Sequence, residues 1–357
     1  MTSEDEHGDD NEGAARRGGR RHSLLKAAGV VLAGALVLSA AGAGWAYWHL
    51  NHNIKSVDIN SALGDDRPAK AVTAPTASVS ASASAAPLPS GAVNILVLGS
   101  DSRSGKANAE LGGGNSSGAR SDTAMVVHID EGRTKATVVS IPRDTLVTRP
   151  SCPTSSGGTT SVAYNAMFNS AYSVGGPVCA VKTVESMTNV RMDHYIEIDF
   201  SGFAKLVDAL GGVTVTTDED IDDDKSHLHL KAGKHHLGGT KALALARTRH
   251  GIGDGSDLGR IGLQQKLVKA LLKQISSTDL LTDPTQLYKV ADAVTGSLTT
   301  DTGLDSLGEL MKLGQSLKGL SSDEVNTVMM PVVTAPSDPN RVVANEPEAS
   351  DLWASLK

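Results

Sequence analysis

Two stretches of this chain carry residue types suited to holding a polyanion. One is Gly99-Ser100-Asp101-Ser102-Arg103, followed after a Gly-rich interval by Arg120-Ser121-Asp122-Thr123. The other is Ala246-Arg247-Thr248-Arg249-His250, followed by Asp257-Leu258-Gly259-Arg260 and Gln264-Gln265. Carboxylates and guanidiniums alternate in both. A guanidinium offers flat, bidentate donors that match phosphate oxygens. Paired aspartates offer hard oxygen ligands that match Mg2+. The combination points to a metal-assisted site for a pyrophosphate. A third stretch, Ile141-Pro142-Arg143-Asp144-Thr145, displays Arg143 beyond a strand that Pro142 would end. Each feature also has a plainer reading when taken alone. Asp101 and Asp122 fit turn or capping positions, and Arg143 fits a surface pair with Asp144. The arginines at 247–260 fit a solvated face, but Leu243, Leu245, Ile261 and Leu263 set them beside a core.

The elements around these residues decide whether they can meet. Val93 to Leu98 reads as a buried strand ending in Gly99. Thr123 to Ile129 and Thr134 to Ile141 read as two more, joined at Asp130-Glu131-Gly132. If the first two strands are antiparallel neighbours, Asp101 and Asp122 share one sheet edge. The Gly-, Ser- and Asn-rich residues 104–119 between them read as a mobile loop. Helices are expected over 162–174 and 178–189, a strand over 194–199, and a helix capped by Ser201 and running to Leu210. A short strand at 213–215 precedes helices over 240–248 and 258–276. Asp257 suits the cap of the second, on which Arg260 and Gln264, four apart, share a face. Two further helices, a strand over 326–333 and a short helix over 346–356 complete the pattern. Hairpins mixed with helices imply an α/β (α+β) class, with one domain built on a central mixed sheet flanked by helices.

Composition sets the surroundings. Of the 357 residues, 33 are Lys or Arg and 40 Asp or Glu, a net charge of −7 that argues against general nucleic-acid binding. Aromatic content of 3% leaves few platforms on which bases could stack. Residues 1–26 read as a disordered cytoplasmic tail. No charge occurs from Ala27 to Trp48. At about 1.5 Å per residue that run spans a bilayer core of roughly 30 Å, so residues 27–50 are expected to form a single transmembrane helix. Arg16 to Lys26 place its N-terminus in the cytoplasm, and Trp45, Tyr47 and Trp48 sit where an outer aromatic belt belongs. Ala41-Gly42-Ala43 allows a cleaved signal instead, but the apolar run is long for one. Residues 51–91, dominated by Ala, Ser, Thr and Pro beyond 64, read as an extracellular linker. A catalytic domain is expected over 92–320, with residues 321–357 packing on it. Cys152 and Cys179 suit one bridge in an oxidising compartment, or else two buried thiols.

Other motifs fail. Asp218 to Asp224 resembles a Ca2+ loop, but Asp223 stands where an EF-hand requires Gly. His227, His229, His235 and His236 fit no zinc spacing and read as a polar hairpin. Gly99 to Lys106 has one residue too many for a P-loop, and Ala107 replaces its Ser or Thr. No G-x-S-x-G occurs to support a serine hydrolase.

The succession Leu98 to Arg103, Arg120 to Thr123, Ser140 to Thr145, and Ala246 to Arg249 with Asp257, Arg260 and Gln264 resembles the LytR-CpsA-Psr family. Asn165-Ala166, Gly175-Gly176, His194-Tyr195, Phe203 and Leu206 to Val213 extend the likeness over 92–320. The resemblance implies a cell-envelope phosphotransferase. Such an enzyme moves a glycopolymer, of which teichoic acid is one, from an undecaprenyl (polyprenyl) pyrophosphate carrier to peptidoglycan. It implies that Asp101 and Asp122 hold Mg2+, with Mn2+ as the alternative. Arg103, Arg120, Arg143, Arg247, Arg249, Asp257, Arg260 and Gln264 would bind the pyrophosphate. Asp122, Arg143, Arg247 and Arg249 would form the catalytic set, and a hydrophobic tunnel would take the lipid tail. Two departures stand out. Val162-Ala163-Tyr164 carries no basic residue before Asn165, and the Asp101–Asp122 interval is long enough for a lid. A polyprenyl-pyrophosphate pyrophosphatase and a non-catalytic envelope regulatory or binding protein are the rival readings.

Overall fold

The computed structural model describes residues 41–65, 67–70, 91–100, 121–154, 157–249, 257–277 and 283–357. The chain divides into two compact units, Met1–His52 and Asn53–Lys357. Residues 41–53 are helical (α1), and within the first unit Trp45 stacks on His49 and Trp48 on His52. Among the described residues no helix is long and apolar enough to cross a membrane. The tail, residues 27–40 of the apolar run and residues 71–90 of the expected linker lie outside them.

The second unit runs β1 (Lys55–Val57), α2 (Ile59–Leu63), β2 (Val93–Ser100), β3 (Ser121–Ile129), β4 (Ala136–Ile141), β5 (Leu146–Arg149), β6 (Ala163–Met167), α3 (Asn169–Thr188), β7 (His194–Asp199), α4 (Phe200–Ala209) and β8 (Val213–Thr217). It continues β9 (Ile221–Asp223), β10 (Leu228–Leu230), β11 (Gly233–Leu237), α5 (Gly239–Arg247), α6 (Asp257–Ser277), α7 (Pro284–Thr295), β12 (Leu298–Asp301), α8 (Leu307–Ser316), β13 (Val325–Met329), β14 (Val332–Ala335), β15 (Asp338–Ala344) and α9 (Glu348–Ala354). Seven strands form one sheet in the order β1-β12-β7-β2-β3-β4-β13. The β2–β3, β3–β4 and β7–β12 pairs are antiparallel, and β2–β7, β1–β12 and β4–β13 are parallel. The expected mixed sheet is therefore present.

Strand side chains alternate between faces. Leu96, Leu98, Ala124, Val126 and Val139 pack with Val184 of α3 and Trp353 of α9. Ile95, Met125 and Val138 pack on the other face with Val268 and Leu272 of α6 and Leu313 of α8. A second small core joins Val207, Val215, Ile221, Leu245, Leu263 and Leu267. Helix α6 lies between these last two cores, which places its first turns beside the site.

Several boundaries differ from those expected. Residues 163–167 pair with β5 instead of starting a helix, because Asn165 takes a left-handed φ of 51° that breaks a helical run. Helix α3 starts at Asn169 and breaks at Gly175-Gly176, the latter with φ of 62°. A Cβ at Gly175 would come within 2.6 Å of Cys179 Cβ and 3.2 Å of Cys152 Cβ. Only glycine lets the chain pass the disulfide that joins those two cysteines. Asp199, not Ser201, caps α4, since it ends β7 in extended conformation and accepts Gly202 N–H at 2.7 Å.

Residues 53–65 fall in the stretch read as linker, yet Lys55–Val57 pairs with β12 and Ile59 lies in the main core. Likewise β13 belongs to the central sheet and Trp353 to its core, so residues 325–357 are part of the domain rather than an addition to it.

Asp301 ends β12 at 1% exposure and accepts hydrogen bonds from Tyr195 N–H at 2.9 Å, Gly303 N–H at 2.7 Å and His194 Nδ1 at 3.1 Å. Burial pushes its carboxyl up, but the His194 and backbone hydrogen bonds outweigh this and hold it below the ordinary carboxylate range. A depressed carboxyl stabilises the fold above its unfolded value, and that contribution is lost as pH falls through the folded value. Asp301→Asn should cost about 1–3 kcal/mol at neutral pH. Its acid-unfolding curve should also be shallower than the parent's below about pH 4. Denaturant titrations across that range check both.

Candidate active site

The antiparallel β2–β3 pair ends with Ser100 opposite Ser121, and the parallel β2–β7 pair sets Ser100 beside Asp199. Three strands thus end along one edge, with Asp122 on it. Asp101 follows Ser100 directly in the chain. Asp101, Arg103, Arg120, the Gly-rich interval and the Asp257 side chain lie outside the described residues, so their placement stays an expectation.

Arg143 comes to Asp122 from the next strand. Pro142 closes β4, and Thr145 N–H turns back to Pro142 O at 3.1 Å. Arg143 Nη1 then meets Asp122 Oδ1 at 2.5 Å. The competing contact with Asp144 is longer, 3.6 Å, and Asp144 also faces Arg341 at 3.4 Å. Asn169, the first residue of α3, donates its N–H to Arg143 O at 3.1 Å, whereas Asn165 is exposed on β6. The asparagine beside Arg143 is therefore Asn169.

Arg247 and Arg249 reach the same cavity for a local reason. Helix α5 ends at Arg247, and Thr248 is extended with φ −58° and ψ 131°. Positions two apart across an extended residue face the same side. Arg249 Nη2 lies 3.7 Å from Asp122 Oδ1, and Arg247 stacks over the Phe200 ring with its Cζ 4.8 Å from the centroid.

Arg260 and Gln264 are buried on α6. Arg260 Nη2 donates to the backbone O of Asp122 at 2.9 Å. Gln264 Nε2 donates to Thr123 Oγ1 at 2.9 Å and to Ala246 O at 3.0 Å. These two tie the start of β3 to the end of α5, so their part is largely to brace the site.

Burial raises the Asp122 carboxyl, but Arg143, Arg260 and Arg249 outweigh it and hold the group below its ordinary range. It is an anion at neutral pH. Oδ1 takes the arginine contacts. A carboxylate oxygen suits Mg2+, and the guanidiniums around it suit only anions, so the donor set fits a Mg2+ ion bound together with a phosphate.

Asp122, Arg247, Arg249, Arg260 and Gln264 line a cavity of about 550 Å³, and Arg143 reaches it through its contact with Asp122. Those five supply much of its polar lining, and Phe203, Leu206, Leu267, Leu271 and Leu298 are among its apolar walls. From Arg260 to Leu271 along α6 is about 16 Å at 1.5 Å per residue. The cavity also takes in Asp199, Asp223, Lys225 and Ser226, which the motif reading passed over. Within Asp218 to Asp224, the stretch that resembles a Ca2+ loop, the β9–β10 hairpin turns Asp223 inward to 2% exposure.

A profile of the LytR_cpsA_psr family matches residues 46–357. The cell wall biosynthesis protein LcpA of Corynebacterium glutamicum is 32% identical over 267 residues, 68% of this chain and 51% of that protein. Bacillus subtilis TagV, a polyisoprenyl-teichoic acid–peptidoglycan teichoic acid transferase, is 31% identical over 65% of this chain and 57% of that one. The TagV crystal structure matches with a TM-score of 0.56 and 26% identity over 75% of this chain and 96% of that chain. A structure of TagT bound to LI-WTA matches with a TM-score of 0.54 and 25% identity over 74% of this chain and 89% of that chain. The chain spans about half the length of the curated relatives it matches.

Proposed function

The chain belongs to the LytR-CpsA-Psr family, and from that premise we propose a membrane-anchored transferase that moves a glycopolymer from a polyprenyl pyrophosphate to peptidoglycan outside the cytoplasm. The observation that carries this is one cavity with two chemistries: Asp122, Arg247, Arg249 and Arg260 set in walls that are otherwise largely apolar, with Arg143 against Asp122. That polarity matches a lipid with a pyrophosphate head. TagV's name and the LI-WTA bound to TagT support the substrate class. The uncharged run 27–48 behind basic residues supports the anchor and its orientation. The Cys152–Cys179 bridge suits an oxidising exterior.

The reaction follows from where charge must go. An acceptor hydroxyl of peptidoglycan attacks the phosphorus next to the glycan. The bond from that phosphorus to the bridging oxygen breaks, a phosphodiester forms, and the lipid leaves as its monophosphate, which takes up the proton that the hydroxyl gives up. Such transfer rests on positioning and charge neutralisation. Arg247, Arg249 and Arg143 would hold the phosphate oxygens and stabilise the charge growing on the bridging oxygen. Arg260 and Gln264 keep Asp122 and the arginines in place. Asp122 and Asp101 would hold Mg2+, which supplies further neutralisation of the pyrophosphate.

Full-length protein extracted in mild detergent should carry a polyprenyl phosphate or pyrophosphate detectable by mass spectrometry. Leu271→Trp narrows the apolar end while leaving the arginines untouched, at about 1–3 kcal/mol of overpacking. The variant should lose the long-chain lipid yet still bind farnesyl diphosphate. Parent protein with no prenyl lipid, or an L271W variant that keeps its full load, would contradict the reading.

A further inference from the structure

The turn after β9 does more than line the cavity. Asp223, 2% exposed, accepts Lys225 N–H at 2.9 Å and Ser226 N–H at 3.3 Å on Oδ1. On Oδ2 it accepts the backbone N–H of Arg249 at 2.9 Å. Beside it Ser226 Oγ lies 2.9 Å from Thr248 Oγ1, and Thr248 Oγ1 donates to Ala244 O at 2.9 Å. The turn therefore grips the chain at Thr248 and Arg249, where the helix gives way to extended backbone and both arginines come to face the cavity.

We propose that Asp223 is a positioning residue for Arg249, fixing where that guanidinium meets the anionic head of the substrate; this rests on the pyrophosphate reading above. The chemistry of the carboxylate is specific. Both oxygens accept from backbone N–H donors. Asparagine has nearly the same shape but presents an NH2 in place of one oxygen, so one backbone donor must face another donor. The segment holding Arg249 then loses its fixed point without a cavity being opened.

The test is a double-mutant cycle on the full-length protein, with farnesyl diphosphate as the probe and calorimetry as the readout. Arg249→Ala should weaken binding about a hundredfold, the scale of losing a charge-assisted pair. Asp223→Asn should weaken it about tenfold in the parent and less than about twofold in the R249A background, because its effect passes through Arg249. A second cycle with Ser226→Ala, which removes the hydroxyl's links to Thr248 Oγ1 and to Asp223 O while leaving the Asp223 carboxylate intact, should show the same dependence at smaller size. It decides the matter if Asp223→Asn does not fold. Equal losses in both backgrounds, or no loss in the parent, would overturn the positioning role while leaving the site intact. An R249A variant that binds like the parent would overturn the pyrophosphate reading and the inference with it.

Discussion

Arg143→Ala is expected to lower polymer transfer about a thousandfold, with far less effect on thermal stability. That factor corresponds to about 4 kcal/mol of barrier and lies at the low end of what a transition-state arginine contributes. Two losses combine. The guanidinium no longer stabilises charge on the leaving phosphate, and Asp122 loses the partner 2.5 Å from its Oδ1. Arg260 and Arg249, the latter 3.7 Å from the same oxygen, remain to keep that carboxylate ionised. The backbone at 143 should persist, because its turn is closed by Thr145 N–H on Pro142 O and by Asn169 N–H on Arg143 O. Arg143→Lys should recover only part of the loss, since an ammonium keeps the charge but not the planar fork. Steady-state kinetics with a lipid-linked polymer, beside thermal melts, separate these effects. A tenfold loss or less would remove Arg143 from the catalytic set.

The largest effect on stability should come from a residue far from the chemistry. The side chains of Arg67 and Glu185 are 2% and 3% exposed and meet at 2.6 Å. Arg67 also donates to Met192 O at 2.8 Å and to Asn60 Oδ1 at 2.5 Å. Arg67→Ala would leave Glu185 buried with its charge uncompensated, at a cost of about 3–5 kcal/mol. Replacing both by methionine should cost much less, because the pair's attraction is offset by its desolvation. Chemical denaturation of the two variants makes the comparison. Equal destabilisation would mean that packing, not charge, holds β1, α2 and Arg67 in place. A shortened chain beginning at residue 92 would lose β1, Ile59 and this pair together, and should fold less stably than one beginning at residue 53.

The sequence made the site legible where chemistry is local. Residues 247 and 249 sit at the end of a periodic run, and Arg260 with Gln264 shares a helix face, so spacing sets each pair to one side and packing of the two helices brings them together. The hairpin of β3 and β4 follows from two apolar runs either side of a clear turn, and the strand at His194–Asp199 from its apolar–polar alternation. Long-range pairing was not legible. Nothing local says that Lys55–Val57 joins the sheet beside β12, because a three-residue edge strand has too little pattern to show. Val162 to Met167 reads as helical by its apolar spacing, but pairing with β5 decides its form. Asp223 was hidden for a similar reason: three aspartates in a row look solvated, and only the hairpin turns the middle one inward.

The central claim is transfer rather than hydrolysis, and one measurement addresses it directly. Full-length protein in lipid nanodiscs is given a polyprenyl-pyrophosphate-linked glycopolymer labelled in the glycan-side phosphate, with Mg2+ and peptidoglycan. After extensive washing, label covalently bound to the peptidoglycan is counted. Label should become bound with the parent protein, fall to background with Arg143→Ala, and fall to background when EDTA removes the metal. Release of the labelled glycan phosphate into solution, with none on the peptidoglycan in the parent reaction, would contradict the account and identify the protein as a hydrolase of the same substrate.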